Sequence, residues 1–222
     1  MNFCLRGGSG GPFPERPKTR WLALYCFEMP GKREIHEVEV KFEVDDREAL
    51  IERLRSLGFF QVTEHTHEMN MLYDLPGGRL RRRGALLRVR QYGAKWTVTY
   101  KDRDNIRPGR HKSRREIETV VQDGQALSSI LQNVGFEPSF AYEKFRSEWS
   151  DGTGHVVLDE TPIGNFGEIE GPPPWIDEVA GRLGIADDQY ITSSYAELFL
   201  AWKRKTRSKA QQMLFSEIPS KI

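Results

Sequence analysis

Charged and apolar side chains alternate with a two-residue period along much of the chain, and this rhythm defines its elements. Glu37, Glu39 and Lys41 alternate with Val38, Val40 and Phe42, so on a strand the two sets face opposite ways. Arg88 and Arg90 stand opposite Leu87 and Val89 in the same manner, and Lys95, Thr97, Thr99 and Lys101 share one face. Lys112, Arg114, Glu116 and Glu118 make another polar row, and so do Tyr142, Lys144, Arg146 and Glu148. Asp159 falls in step with Val157, and Glu168 and Glu170 flank Ile169. These patterns predict strands over 35–44, 69–74, 85–91, 95–101, 111–121, 141–149, 154–160 and 165–171. Helical spacing and capping signals predict helices near 46–57, 123–134, 175–183 and 193–206.

A repeat ties these elements together. Asp46, Ala49, Leu50, Leu54, Leu57, Gly58 and Phe59 recur at an offset of 77 residues as Asp123, Ala126, Leu127, Leu131, Val134, Gly135 and Phe136. Each copy carries an Asp suited to cap a helix start and a Gly suited to end it. The preceding strands align too, with Glu39 and Val44 falling on Glu116 and Val121. A fainter third copy of the helix ending lies at Val179–Ile185. Two copies with several strands each predict a pseudo-twofold antiparallel sheet closed on itself. The expected fold class is α+β: an eight-stranded antiparallel barrel, which leaves no free sheet edge, with helices packed outside. The last helix, with Leu198, Phe199 and Trp202 on one side, is expected on the outside of the barrel.

The helices have apolar faces to bury. If these cover the apolar faces of the strands, the charged rows line the lumen. An ordinary solvated sheet face would be a mixture of Ser, Thr, Gln and Lys. Here Arg-x-Arg, Lys-x-Arg and Glu-x-Glu pairs repeat instead. Such a lumen is costly to bury empty and becomes sensible around a polyanion with a metal ion.

Composition sharpens this picture. The 222 residues carry a net charge of only +1, which argues against bulk electrostatic binding to nucleic acid or to an anionic membrane. The expected chain is a tail over 1–33, one domain over 34–206 and a C-terminal tail over 207–222. Residues 7–12 read Gly-Gly-Ser-Gly-Gly-Pro and precede a stretch rich in Pro, Arg and Lys, a composition that buries little. Translation from Met29 would leave residues 1–28 outside the natural chain. Cys4 and Cys26 both lie in this segment and make no metal or disulfide framework. No apolar run approaches the roughly 18–20 residues of a membrane span, so a soluble cytoplasmic protein is expected. His65-x-His67 reads as a loop or strand edge, Arg79–Arg83 as an exposed hairpin tip, and Lys203–Lys209 as a solvated helix end. Phe59, Phe60, Trp96 and Tyr100 are candidates for stacking on a ligand, though packing is the commoner role.

The ordered set of motifs resembles the CYTH superfamily, the triphosphate tunnel metalloenzymes. Its carriers are Glu37-x-Glu39-x-Lys41, Tyr73-Asp74, Leu87-Arg88-Val89-Arg90, Thr97–Lys101, Arg114-x-Glu116-x-Glu118, Lys144-x-Arg146, Leu158-Asp159 and Gly164-Asn-Phe-Gly-Glu-Ile-Glu170. With Ile191-Thr-Ser-Ser-Tyr195, the pattern is most similar to the class IV adenylate cyclase-like and thiamine triphosphatase-like branch. The resemblance covers about residues 34–200. It implies an eight-stranded tunnel that binds a triphosphate with Mg²⁺ or Mn²⁺. It assigns Glu37, Glu39, Glu168 and Glu170 to the metal, with Asp159 as a further candidate. It assigns Lys41, Arg88, Arg90, Lys101, Arg114, Lys144 and Arg146 to phosphate, and Glu37, Glu39 and Lys41 to the catalytic set. Glu116 and Glu118 would orient these cations or a second metal.

Known family activities are inorganic, thiamine and RNA triphosphatase and class IV adenylate cyclase. Phosphoanhydride hydrolysis is the expectation, because water as acceptor asks least of the site. A cyclase making cyclic AMP and pyrophosphate from ATP is the alternative, and a non-catalytic polyphosphate- or nucleotide-binding module is the third reading. The implied ligand is a small triphosphate: tripolyphosphate, ATP or thiamine triphosphate.

Overall fold

The computed structural model describes residues 34–103 and 111–218. Its strands are β1 (Glu34–Glu43), β2 (Phe60–Asp74), β3 (Leu86–Tyr92), β4 (Lys95–Arg103), β5 (Lys112–Val121), β6 (Glu137–Ser150), β7 (His155–Thr161) and β8 (Gly164–Glu170). Its helices are α1 (Arg47–Ser56), α2 (Arg79–Arg82), α3 (Gly124–Asn133), α4 (Pro173–Leu183) and α5 (Tyr195–Thr206). The strands close in the order β1-β5-β4-β3-β2-β6-β7-β8, every neighbour antiparallel. No helix among the described residues is long and apolar enough to cross a membrane.

The repeat is visible in the capping. Asp46 Oδ1 accepts from the Ala49 N–H at 3.0 Å, and Asp123 Oδ1 accepts from the Ala126 N–H at 2.8 Å. Gly58 and Gly135 follow the two helices with φ of +87° and +99°, a region open to Gly without steric cost. Around α1 the main core forms. The outward residues Val40, Phe42, Val156, Leu158, Ile169 and Trp149 meet Leu54 of α1 and Ile176, Val179 and Ala180 of α4. Gly167 lies opposite Phe42 in the β1–β8 register, and a Cβ there would stand 2.1 Å from the Phe42 ring. The apolar faces therefore look outward under helices, and the alternating charged faces look inward.

Three features depart from the sequence-based expectation. β2 begins at Phe60 instead of residue 69, with register shifts between Gln61 and Thr66 that break the alternation. The Arg79–Arg83 segment contains α2, anchored by the buried Asp74, which accepts from the N–H groups of Leu80 (2.7 Å) and Arg81 (3.1 Å). The chain after α5 stays packed to Ile218, with Ala210, Met213 and Ile218 buried. Met213 fills the edge of β6 before its pairing with β7 begins, exchanging backbone bonds with Ala141 and Glu143 at 3.1 Å each. Ile191 does the same for β1 beyond its pairing with β5, through two backbone bonds to Lys41 at 2.7 and 3.2 Å. α5 lies outside the barrel wall as expected, but across one end of it.

Candidate active site in the barrel lumen

Each predicted site residue among the described strands has the inward parity. Lys41 and Lys144 are 2% and 1% exposed, and Asp159 is fully buried, so these charges must neutralise one another. Asp159 accepts from Lys144 Nζ (2.6 Å), from Arg146 Nε and Nη2 (both 2.7 Å) and from the Tyr195 hydroxyl (2.6 Å). Both its oxygens are thus engaged by donors. Arg146 also donates to Glu168 at 2.5 Å, and Lys41 pairs with Glu168. On the next wall Arg88 donates to Thr99 at 3.1 Å and lies 3.7 Å from Glu118 and 4.0 Å from Glu116. Lys101 pairs with Glu37 and, at 2.7 Å, with Glu116, while Lys112 pairs with Glu39 at 2.6 Å. Arg114 shares this face opposite Glu37.

The charges are sorted by wall. Glu37 and Glu39 of β1 lie beside Glu168 and Glu170 of β8, with Glu39 directly opposite Glu170. Burial and the neighbouring Glu37, Glu39 and Glu168 push the Glu170 carboxyl up to about 8. Among the described residues its carboxyl has no ion-pair partner. Burial would also raise Glu37, but the Lys101 ammonium beside it prevails and holds it at about 2. Glu168 is held well below the carboxylate range despite its burial, by Lys41, Arg146 and Lys144. On the β3–β6 side the sign reverses. Burial alone would raise the Tyr142 phenol, yet Arg88, Arg90 and Lys144 bring it below its usual value. One wall therefore repels further negative charge and the other attracts it.

The lumen also contains residues that the sequence analysis missed. Glu68 and Asn70 are fully buried inside it. Arg90 donates to Asn70 at 3.0 Å and lies 3.4 Å from Glu68, and Lys144 lies 3.5 Å from the same carboxylate. Glu68-x-Asn70-x-Leu72 was the available signal, with Glu68 one residue before the predicted start of β2 and Asn70 just inside it. Among the described residues, Glu68 Oε2, Arg88 Nε and Thr97 Oγ1 are buried without a hydrogen-bond partner, an arrangement suited to a polar guest. Of the stacking candidates, Phe59 is in the outer core, Trp96 packs over Gly124, Tyr100 has outward parity and Phe60 is 56% exposed. None lines the lumen. His65 and His67 pair with Glu160 and Glu143, both at 2.8 Å, away from the site.

The oxygen donors of Glu37, Glu39, Glu168 and Glu170 fit a hard divalent cation, and the crowded Glu170 gives the electrostatic reason. Among the described residues no three such groups already converge around one point. Three of these carboxylates are instead turned onto lysines. Loading such a site would mean exchanging those lysine contacts for a metal ion, which would free the ammonium groups for an anion.

Arg90→Ala should weaken tripolyphosphate binding roughly 10- to 100-fold, since a charge-assisted hydrogen bond is worth about 1.5–3 kcal/mol. Calorimetry in EDTA reads binding without turnover, and an unchanged affinity would remove Arg90 from the site.

A closed antiparallel barrel with helices outside and opposed acidic and basic walls inside defines a class of tunnel protein built around charge. The CYTH domain family matches residues 36–181, and the chain belongs to that family. A Methanocaldococcus jannaschii protein provisionally assigned as an adenylate cyclase is 27% identical over 175 residues, covering 73% of this chain and 97% of its own. Adenylate cyclase CyaB of Aeromonas hydrophila is 27% identical over 178 residues, covering 73% and 87%. The solved structure of HpAC1 from Hippeastrum shares the fold with a TM-score of 0.55 and 18% identity, covering 76% of this chain and 95% of that one.

Proposed function

We propose that the protein cleaves a phosphoanhydride bond of a small triphosphate held in the lumen, with a divalent metal ion. The observation that carries this reading is the opposition of walls: carboxylates on β1 and β8, and guanidinium and ammonium groups on β3, β4 and β6. Arg88, Arg90, Lys101, Arg114, Lys144 and Arg146 bind phosphate oxygens. The guanidinium groups can use two donors each, and the lysines act as movable point charges. Lys41, paired with Glu168 on the lumen face, neutralises charge on the phosphoryl group being transferred. Glu37, Glu39, Glu168 and Glu170 would hold Mg²⁺ or Mn²⁺, whose chemistry is to shield phosphate charge and lower the pKa of water. Asp159 serves as the anchor that orients Lys144 and Arg146. Four hydrogen bonds hold its two oxygens, against two at Glu168, and make this role a better fit than metal ligation.

Hydrolysis accords with HpAC1, which is described as having a dominant triphosphatase activity. Cyclisation of ATP is the second reading, favoured by the name of the Aeromonas relative. It needs a nucleoside pocket at a tunnel mouth, and the four aromatic candidates for one lie outside the lumen. Tripolyphosphate, ATP and thiamine triphosphate are the substrates to test, and a cytoplasmic site of action accords with them. Phosphate release from tripolyphosphate should require Mg²⁺ or Mn²⁺ and stop in EDTA. Equal rates with and without EDTA would overturn the reading. Binding that EDTA leaves unchanged, with no turnover in either metal, would point to a non-catalytic module.

Metal and proton should compete at Glu170. A carboxyl raised to about 8 in the folded chain is protonated where the unfolded chain has already ionised it. The folded state then binds more protons, so this contribution to stability falls as pH rises from the ordinary carboxylate range towards 8. A bound divalent cation replaces the proton. Added Mg²⁺ or Mn²⁺ is therefore expected to raise the melting temperature more at pH 8 than at pH 6. Equal increments at the two values would contradict a metal site on this wall.

A further inference from the structure

Among the described residues, the cationic wall has one aromatic neighbour that belongs to no strand. Tyr195 opens α5, and its position there is set by a capping box: the Ser194 N–H donates to Glu197 at 2.7 Å, and the Glu197 N–H donates to Ser194 at 3.3 Å. From this first turn the side chain enters the end of the barrel. Its ring stacks on Tyr142 at 5.8 Å and meets Phe166 edge-on at 5.8 Å. Its hydroxyl donates to Asp159 at 2.6 Å. Lys41 Nζ lies 4.6 Å from the ring centroid and Lys144 Nζ lies 4.8 Å from it. These lysines come from β1 and β6, which β7 and β8 separate in the barrel, so one ring touches two cations from distant strands.

We propose that Tyr195 is a positioning residue for the phosphate chain: its ring holds the ammonium groups of Lys41 and Lys144 where they meet the anion. A lysine on a flexible stem loses conformational freedom when it binds phosphate, and a ring that already confines it reduces that cost. The hydroxyl has a lesser part, because Asp159 keeps Lys144 and Arg146 as donors without it. Burial and Asp159 raise the Tyr195 phenol far above its usual range, so it stays a neutral donor. α5 is thereby tied to the binding site through one side chain. Phe199, one turn later and 2% exposed, packs on Phe140 at 5.4 Å and holds the helix in place with no lysine of the site over its ring.

The inference rests on the reading of the lumen as a triphosphate site, and the experiment separates the two. Tripolyphosphate affinity is measured by calorimetry in EDTA, and KM and kcat in Mg²⁺, for wild type, Tyr195→Phe, Tyr195→Leu and Phe199→Leu. Thermal melts establish folding, and Tyr195→Met replaces the leucine variant if that one is unfolded. Tyr195→Leu should raise Kd and KM at least about 10-fold and lower kcat as well, because Lys41, which serves the phosphoryl group being transferred, loses its confinement together with Lys144. Tyr195→Phe, which keeps the ring, and Phe199→Leu should stay within about threefold of wild type. Wild-type affinity in the aliphatic variant overturns the proposal, as does an equal loss in Tyr195→Phe or Phe199→Leu. Absence of tripolyphosphate binding by the wild-type protein both in EDTA and with Mg²⁺ overturns the triphosphate reading itself, and this inference with it.

Discussion

Glu39→Ala is expected to lower metal-dependent turnover of tripolyphosphate by about 100-fold or more, the scale of losing one charged ligand to a catalytic metal ion. Glu39 faces Glu170 across the β1–β8 pair and pairs with Lys112 at 2.6 Å. Removing its carboxylate takes one of four carboxyl groups from the acidic wall and leaves an ammonium without its counter-charge. Both changes repel a cation. The variant should therefore need a higher metal concentration for half-maximal rate. It should also keep its fold, since Glu39 belongs to no apolar core cluster. Far-UV circular dichroism and a metal titration of the rate check both parts. A near-wild-type rate at the same metal concentration would take Glu39 out of the metal site.

Asp159→Ala should act first on stability. The carboxylate is fully buried and compensates Lys144 and Arg146, themselves 1% and 9% exposed. Truncating one partner of a buried ionic group costs about 3–5 kcal/mol, because the remaining charges stay desolvated without their counter-ion. Glu68 and Glu168 remain nearby but must now serve two more strongly unbalanced cations. For a chain of this size the loss corresponds to a fall on the order of 10 °C in melting temperature. Denaturant titration should show a lower midpoint. A shift under about 1 kcal/mol would mean that water reaches this cluster and that the lumen is less enclosed than its burial indicates.

Much of this arrangement was legible along the chain because a strand has a period of two and the lumen imposes one polarity on each wall. Glu37, Glu39 and Lys41 on β1, and Lys144 and Arg146 on β6, needed only parity to be placed together. Asp46 and Asp123 were readable as caps, since capping is local. Glu68 and Asn70 were not. The first half of β2 is polar on both faces, where Gln61, His65 and His67 look outward, and its register shifts interrupt the period. Tyr195 was inaccessible for another reason: helical spacing says which side of α5 is apolar, but not that its first residue reaches Asp159 on β7. Pairings such as Lys112 with Glu39 depend on the register between strands far apart in the chain. The packed segment through Ile218 carries only the short apolar run Met213-Leu214-Phe215 with Ala210 and Ile218, too brief and irregular to show a period, so its docking on β6 is not readable locally.

Product analysis by ³¹P NMR tests the central claim most directly, with the purified protein, Mg²⁺ or Mn²⁺, and either tripolyphosphate or ATP. The account predicts orthophosphate and pyrophosphate from tripolyphosphate, and phosphoanhydride cleavage without a cyclic product from ATP. Pyrophosphate with a cyclic phosphodiester from ATP would contradict hydrolysis and make the protein a cyclase. An unchanged spectrum with every substrate and metal would contradict catalysis in this lumen altogether.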